Sequence, residues 1–370
     1  MSSSLVRSVI AVMGCVGATS LPLCAQEHRR LTEEVRIGSV DEGPASFGDI
    51  RGIATNAKGW VFVLDFSTQD IRVFDAQGRH LKTVGRKGSG PGEFQNANGI
   101  ARAPDGTLWL NDPANARFTA LDSDGGYQSS FTVPATGYGF LWVGGVDPAG
   151  RLFDEIYVRN EQGYRTALRR FSADRQRVDT LSVPVCTDPS RSTPQLYVIK
   201  SNNMEAHITV PFTAGPVTAI DPAGYAWCGM NDRYLITKTA LGRDAPVAVV
   251  RQAAQPLPVT REDREKALAP TRKQFPGAVL NESRIPRVKP LIERLVVDDR
   301  SRLWVKRTTA DGHTQFDVFG PDGKPVAVVD SPLHLDSWAP LRIEADRVYA
   351  IVRNEDDVPF VVRLRLVRAP

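Results

Sequence analysis

The chain has 370 residues, 42% of them hydrophobic and 24% charged, which excludes a disordered chain and supplies enough apolar material for a large core. A formal net charge of +4 gives no footprint for a protein that holds nucleic acid by bulk electrostatics. At the N-terminus Arg7 precedes the apolar, small-residue run Ser8 to Cys24, and Ala25 precedes a polar switch at Gln26-Glu27-His28. We read residues 1–25 as a secretory signal peptide cleaved after Ala25. The run is interrupted by Gly14, Gly17, Ser20 and Pro22, so it is too broken for a membrane anchor, and no transmembrane segment is expected. A lipoprotein with Cys15 as its acylated residue is the less favoured alternative. The expected compartment is the periplasm or the extracellular space.

The next segment, Glu33 to Ile37, reads as a single strand, and a repeat begins immediately after it. Gly38-Ser-Val-Asp-Glu-Gly-Pro44-Ala-Ser-Phe47 matches Gly85-Arg-Lys-Gly-Ser-Gly-Pro91-Gly-Glu-Phe94 without a gap. The same shift takes Gly52-Ile53-Ala54 onto Gly99-Ile100-Ala101, Gly59 onto Gly106, Asp65 onto Asp112 and Asp75 onto Asp122. Within one copy, four short strands alternate with Asp/Gly turns: Ile50 to Ala54, Trp60 to Asp65, Ile71 to Asp75 and Leu81 to Gly85. Four later copies keep the turn and the strand after it, at Asp147-Pro-Ala-Gly150, Asp221-Pro-Ala-Gly224, Asp299-Arg-Ser301 and Ala345-Asp346. A four-stranded unit repeated six times is the signature of a propeller, whose closed ring leaves few open edges. The last copy runs out after a strand at Phe360 to Val367, so Glu33 to Ile37 is expected to complete its sheet and close the ring.

The second copy carries the sequence Gly90-Pro-Gly-Glu-Phe94, Gly99-Ile-Ala101, Asp105-Gly-Thr-Leu-Trp-Leu110 and Asp112-Pro-Ala-Asn115-Ala-Arg117. This resembles NHL-repeat propellers, specifically over residues 38–125 and weakly from residue 140 onward. The expected fold is therefore all-β, a six-bladed β-propeller over residues 31–370. It carries two inserted segments, about 184–212 and 252–290, and long insertions between regular elements are more often functional than neutral. The first contains Cys186 and a hairpin, Gln195 to Lys200 and Glu205 to Val210. The second opens with Thr260-Arg-Glu-Asp263, an N-cap pattern, and a helix Arg264 to Phe275 that Pro270 should break or kink.

After cleavage only Cys186 and Cys228 remain, and they are either one disulfide or two separate buried thiols. The histidines lack metal-ligand spacing, so no metal site and no cofactor are expected. Gly85 to Gly90 lacks the Lys-Ser/Thr ending and the following helix of a phosphate-binding loop, and reads as an inter-blade turn. Asp65 and Asp112, recurring at one strand end, read as turn caps.

Candidate ligand-binding residues are those at the channel mouth. Aligning copies on the Gly59-type turn places Arg51, Asn98, Trp142, Pro216 and Glu293 at one repeat position, with Trp338 in the last copy and Lys289 near Glu293. Polar and aromatic groups converging on a concavity are the default small-molecule site. From Arg251 to Arg307 there are 14 Lys and Arg against seven acids. That basic excess, with Arg264, Arg272 and Lys273 at its centre, is either a solvated face or an attractor for an anionic ligand. The expected function is a non-catalytic binding or scaffolding module for a carbohydrate, peptide or protein, acting as a monomer and without nucleic acid. The alternative is an enzyme: the resemblance to six-bladed folds implies a metal-dependent lactonase or lyase, which needs Glu, Asn and Asp around a divalent cation in the channel.

Overall fold

A computed structural model describes residues 26–134, 141–142, 144–160, 163–184, 195–201 and 204–369. The proposed signal peptide, Cys15 and Cys186 lie outside the described residues. The first strand, β1 (Glu27–Ile37), is followed by six antiparallel sheets arranged as blades. They are β2 (Ile50–Thr55), β3 (Val61–Asp65), β4 (Asp70–Phe74) and β5 (His80–Val84); β6 (Gly99–Arg102), β7 (Leu108–Asp112), β8 (Arg117–Leu121) and β9 (Tyr127–Thr132); β10 (Gly145–Val146), β11 (Leu152–Asn160), β12 (Gly163–Phe171) and β13 (Val178–Ser182). A separate hairpin, β14 (Leu196–Ser201) with β15 (Met204–Thr209), precedes the fourth blade, β16 (Pro216–Asp221), β17 (Tyr225–Met230), β18 (Leu235–Ala240) and β19 (Pro246–Arg251). The helix α1 (Arg261–Gln274) leads to the fifth blade, β20 (Ile292–Val297), β21 (Leu303–Arg307), β22 (Gln315–Phe319) and β23 (Pro325–Asp330). The sixth holds β24 (Arg342–Glu344), β25 (Arg347–Arg353) and β26 (Pro359–Arg368).

Strand composition follows position in the blade. The second strands β3 and β7 are sandwiched between neighbouring blades and are buried along their whole length, so Val61-Phe-Val-Leu64 reads as a continuous apolar run. The outermost strands β5 and β9 are mostly exposed and carry polar residues. The recurrent Asp turns also have a shared geometry. Asp147 Oδ1 accepts from the backbone N–H groups of Ala149 and Arg151 at 3.0 and 2.8 Å, and Asp298 does the same for Arg300 and Arg302 at 3.0 and 2.9 Å. Gly150 takes the left-handed φ of 73° that this turn requires, and in the fifth blade Ser301 adopts φ 58° in its place.

Ring closure is by β1, in antiparallel register with β26 from Arg29↔Arg368 to Ile37↔Val361. The strand is longer than the sequence pattern indicates. Its first residues, Glu27 to Arg30, also pair in parallel with Ala327 to Asp330 of β23, so the fifth and sixth blades share one continuous ladder. Leu31 and Ile37 are buried in the cores on either side of this seam.

The two insertions form one lobe. Tyr197 and Ile208 of the hairpin pack with Val259, Leu268 of α1 and Ile285 in a cluster separate from the blade cores. Tyr197 also donates its hydroxyl to Asn281 O at 3.1 Å, and Arg284 donates to Leu196 O at 2.8 Å. The helix begins at Arg261 on the capping box formed by Thr260 and Asp263 and runs through Pro270 to Gln274 without the expected break. Pro270 and the residue four before it, Lys266, are both exposed, so the carbonyl that lacks a helical donor faces water while Leu268 anchors the opposite side.

Candidate binding face

Each blade begins with an inner strand and ends with an outer strand, and four antiparallel strands return the chain to its starting side. All the connections between blades therefore emerge on one face of the ring, and the tight Asp turns occupy the other. Asp65 and Asp112 fasten these connections. Asp65 accepts from the N–H groups of Gly48, Asp49 and Ser67 at 3.0, 3.1 and 2.9 Å, and Asp112 from those of Gln95 and Asn96 at 3.1 and 2.9 Å. Their recurrence at one strand end thus has a structural cause: each pins the segment entering its own blade's inner strand. The Gly85 to Gly90 segment is one of these connections, bridged to its return leg at Lys87↔Phe94.

The sequence-aligned residues are on this face but differ in availability. Arg51 lies against Asp49, with Nη2 at 2.6 Å from Oδ2, and its guanidinium covers the Phe66 ring at 4.5 Å from the centroid. Asn98 is buried, 1% exposed, and its carbonyl accepts from the backbone N–H of Trp142 at 3.0 Å. Trp142 closes over Gly99, where a Cβ would lie 2.6 Å from the tryptophan's own, and donates its indole N–H to Phe153 O at 3.2 Å. Its ring also packs 5.5 Å from that of Phe118, so Asn98 and Trp142 serve the contact between blades. Pro216 begins β16.

Lys289 is committed to the lobe. Its ammonium sits 2.7 Å from Asp263 Oδ1 at the start of α1, three residues before β20 begins, which sets the helix N-terminus beside the entry to an inner strand. Burial opposes ionisation of Asp263, but the Lys289 ammonium and the Thr260 N–H and hydroxyl outweigh it and lower its pKa to about 2. Arg264 donates to Glu282 O and Pro286 O, and Arg272 pairs with Glu282 at 2.5 Å. These two members of the basic cluster therefore brace the lobe, while Lys273 is exposed at the end of the helix.

Trp338 differs from all of these: it is 90% exposed, although it stands on a connection whose backbone is fixed from beneath. Arg294, whose charge is opposed by burial, donates to Ser337 O at 3.2 Å and Ala339 O at 2.5 Å. Lys306, its side chain 3% exposed, donates to Leu335 O at 2.8 Å, to Ser337 Oγ, and to Glu293 Oε2 at 3.0 Å. Glu293 Oε2 also accepts from the Ser337 hydroxyl at 2.9 Å. On the loop itself, Asp336 N bonds Ile351 O at 2.9 Å and Trp338 N bonds Asp336 Oδ1 at 2.8 Å, while Arg353 lies 3.1 Å from the other Asp336 oxygen. Ala339 is buried in the cluster that holds Phe47, Ile50 and Ile53, so the Trp338 loop adjoins the start of the first blade and with it Arg51.

Sequence alignment thus brought Glu293, Arg51 and Trp338 to the same sector but missed the groups that support them. Lys306 had a signal: it is a lysine ending the apolar run Leu303-Trp-Val305 of a buried strand, where a charge needs a partner. Among the described residues, no three His, Cys, Asp or Glu side chains come together as a metal-holding group. Cys228 is disulfide-bonded, and the other cysteines, Cys186 included, lie outside the described residues. No described helix is long and apolar enough to cross a membrane.

Residues 45–103 match the family DUF5128, described as "6-bladed beta-propeller". No curated protein matches the sequence. Among solved structures, a DUF4221-family member from Bacteroides vulgatus is similar at a TM-score of 0.53 and 11% identity, over 93% of this chain and 100% of that one. A gluconolactonase from Xanthomonas campestris is similar at 0.45 and 12% identity, over 92% and 100% of the two chains. A virginiamycin B lyase from Staphylococcus aureus is similar at 0.44 and 10% identity, over 91% and 100%. The first of these likenesses speaks for the fold alone. The chain is a six-bladed β-propeller.

Proposed function

We propose that this chain is an exported, monomeric, non-catalytic binding module that takes its ligand on the face of the inter-blade connections, with Trp338 as the anchor. The observation that carries this reading is an indole left 90% exposed on a loop held by Arg294, Lys306, Glu293 and Asp336. Burying an aromatic of that size is worth about 3 kcal/mol or more, so its exposure forgoes a stabilisation that a ligand would recover. A loop already fixed in place loses little entropy when it binds, and tryptophan is the residue most enriched among binding hot spots. No cofactor enters this reading. The lactonase or lyase alternative gains no support from Glu293, which is engaged by Lys306 and Ser337, or from Asn98, which is buried between blades.

The test is a screen of the mature protein and W338A against oligosaccharide and peptide libraries. Any ligand of this face should bind W338A at least about tenfold more weakly. The melting temperature should be unchanged, because the side chain packs against almost nothing. Ligands indifferent to W338A would refute the assignment, and turnover of a lactone panel by the wild-type protein would restore the enzymatic alternative.

A further inference from the structure

We infer that the lobe carries a second binding site, an arginine cluster beside Tyr197 that takes a phosphate monoester as its dianion, independently of the Trp338 reading. Residues 195–212 and 252–290 hold nine lysines and arginines and five acids. Each acid has a basic partner. Glu262 pairs with Lys266 and Asp263 with Lys289, both at 2.7 Å, Glu265 with Arg261 at 2.8 Å, and Glu282 with Arg272 at 2.5 Å. Glu205 lies 3.6 Å from Lys200 and 2.7 Å from His207. Arg264, Lys273, Arg284 and Arg287 are left over, with no carboxylate partner among the described residues.

Two of these four are gathered at one place. Arg264, Leu268 and Arg272 recur every four residues on α1, so the two arginines flank the buried leucine on the face turned to the returning segment 281–286. Arg264 donates to Glu282 O at 3.3 Å and Pro286 O at 3.4 Å, and Arg272 holds the Glu282 carboxylate. Arg284, on that segment, donates to Leu196 O at 2.8 Å and lies 5.6 Å from the centre of the Tyr197 ring. The Tyr197 hydroxyl feels all of these charges: burial and Glu282 push its pKa up, against Arg284, Arg264 and Arg272. Three guanidiniums thus face one carboxylate, and Lys273 adds to the excess of two positive charges. Guanidiniums held together repel one another, and a bound anion relieves that repulsion. Each has five N–H donors, and Arg264 and Arg284 spend few of theirs on the carbonyls that hold them, so the rest are free to fork onto oxygens. A phosphate monoester offers three such oxygens and close to two negative charges at pH 7, matching the excess. A carboxylate or sulfate ester brings only one.

The experiment is titration calorimetry with glucose 6-phosphate, glucose 6-sulfate and glucuronate, together with flotation on phosphatidylcholine vesicles with and without phosphatidic acid. The expected result is saturable binding of the phosphate ester, weakened by salt and by lowering the pH through about 6, where the ester takes up its second proton. R264Q/R284Q should bind at least about tenfold more weakly. R264K/R284K, which keeps the charge and loses the forks, should also bind more weakly. R261Q/K266Q removes the same charge from exposed pairs on α1 and should bind as the wild type does, as should W338A. E282Q, which removes the one opposing acid, should bind more tightly. Equal weakening in R261Q/K266Q and R264Q/R284Q would overturn the site in favour of a diffuse field. Sulfate and phosphate esters bound alike, with no response to pH, would overturn the dianion. Phosphatidic acid vesicles bound through Arg264 and Arg284, without glucose 6-phosphate, would support the same chemistry on a lipid headgroup. Binding to neither phosphate would overturn the inference and leave the Trp338 reading untouched.

Discussion

Single side chains do two distinct kinds of work in this ring, and burial separates them. Asp65 is fully buried, accepts three backbone N–H bonds and lies 3.5 Å from Arg72. The D65A variant should therefore lose about 1–3 kcal/mol, since it leaves three backbone donors without their acceptor while Arg72 keeps Asp70 at 3.3 Å, seen as a lower urea midpoint. A loss below about 1 kcal/mol would mean that water replaces the carboxylate. Trp338 has the opposite profile, a large effect expected on binding and none on stability. Periodicity made Asp65 legible as a structural residue, because it recurs at the same position as Asp112. Trp338 was legible only as an aligned position. The loop that carries it is held by Arg294 and Lys306, which belong to a different blade and have no sequence relation to it.

At the scale of elements, β1 and α1 are the pieces that the repeat itself does not supply. Removing residues 26–37 would leave β26 and β23 with unpaired edges and open the cores that contain Leu31 and Ile37. The truncated chain should melt well below the full one and aggregate on heating, and an unchanged melting curve would refute closure by this strand. For α1, the depressed pKa of Asp263 gives a pH signature. Its folded value of about 2 lies below the ordinary 3.8, so its stabilising contribution is complete above about pH 4 and is lost as pH falls toward 2. Hydrogen exchange of α1 should accelerate over that window in the wild type and much less in D263N. Equal acid sensitivity in both would remove the Lys289 contact as the cause. The capping box was readable from Thr260 and Asp263, whereas Lys289 was not, because the ion pair depends on how the chain returns from the lobe.

For the whole molecule, the ring and its lobe are separate packing problems. Hairpin and helix come from insertions on either side of the fourth blade, yet they share a core around Tyr197, Leu268 and Ile285. Cys228 lies in β17 of that blade and is disulfide-bonded. Alkylation of the denatured, unreduced protein should leave Cys228 unlabelled, and reduction should expose it. Labelling before reduction would show a free thiol. A disulfide here agrees with the proposed export, because oxidising compartments are where such bonds persist.

The sequence by itself determined the blade: the four-strand period, the Asp turns, the six copies and the strand left over for closure all follow from local patterns that repeat in register. Backbone hydrogen bonding and alternating burial act over a few residues, so they leave a trace in consecutive letters. Only the tertiary structure decided that the two insertions make one lobe, that Arg264 and Arg272 bond within it, and that Trp142 packs between blades while Trp338 faces solvent. Those outcomes depend on side chains from segments far apart in the chain competing for the same space, and no period records which of two tryptophans will find a neighbour to bury it.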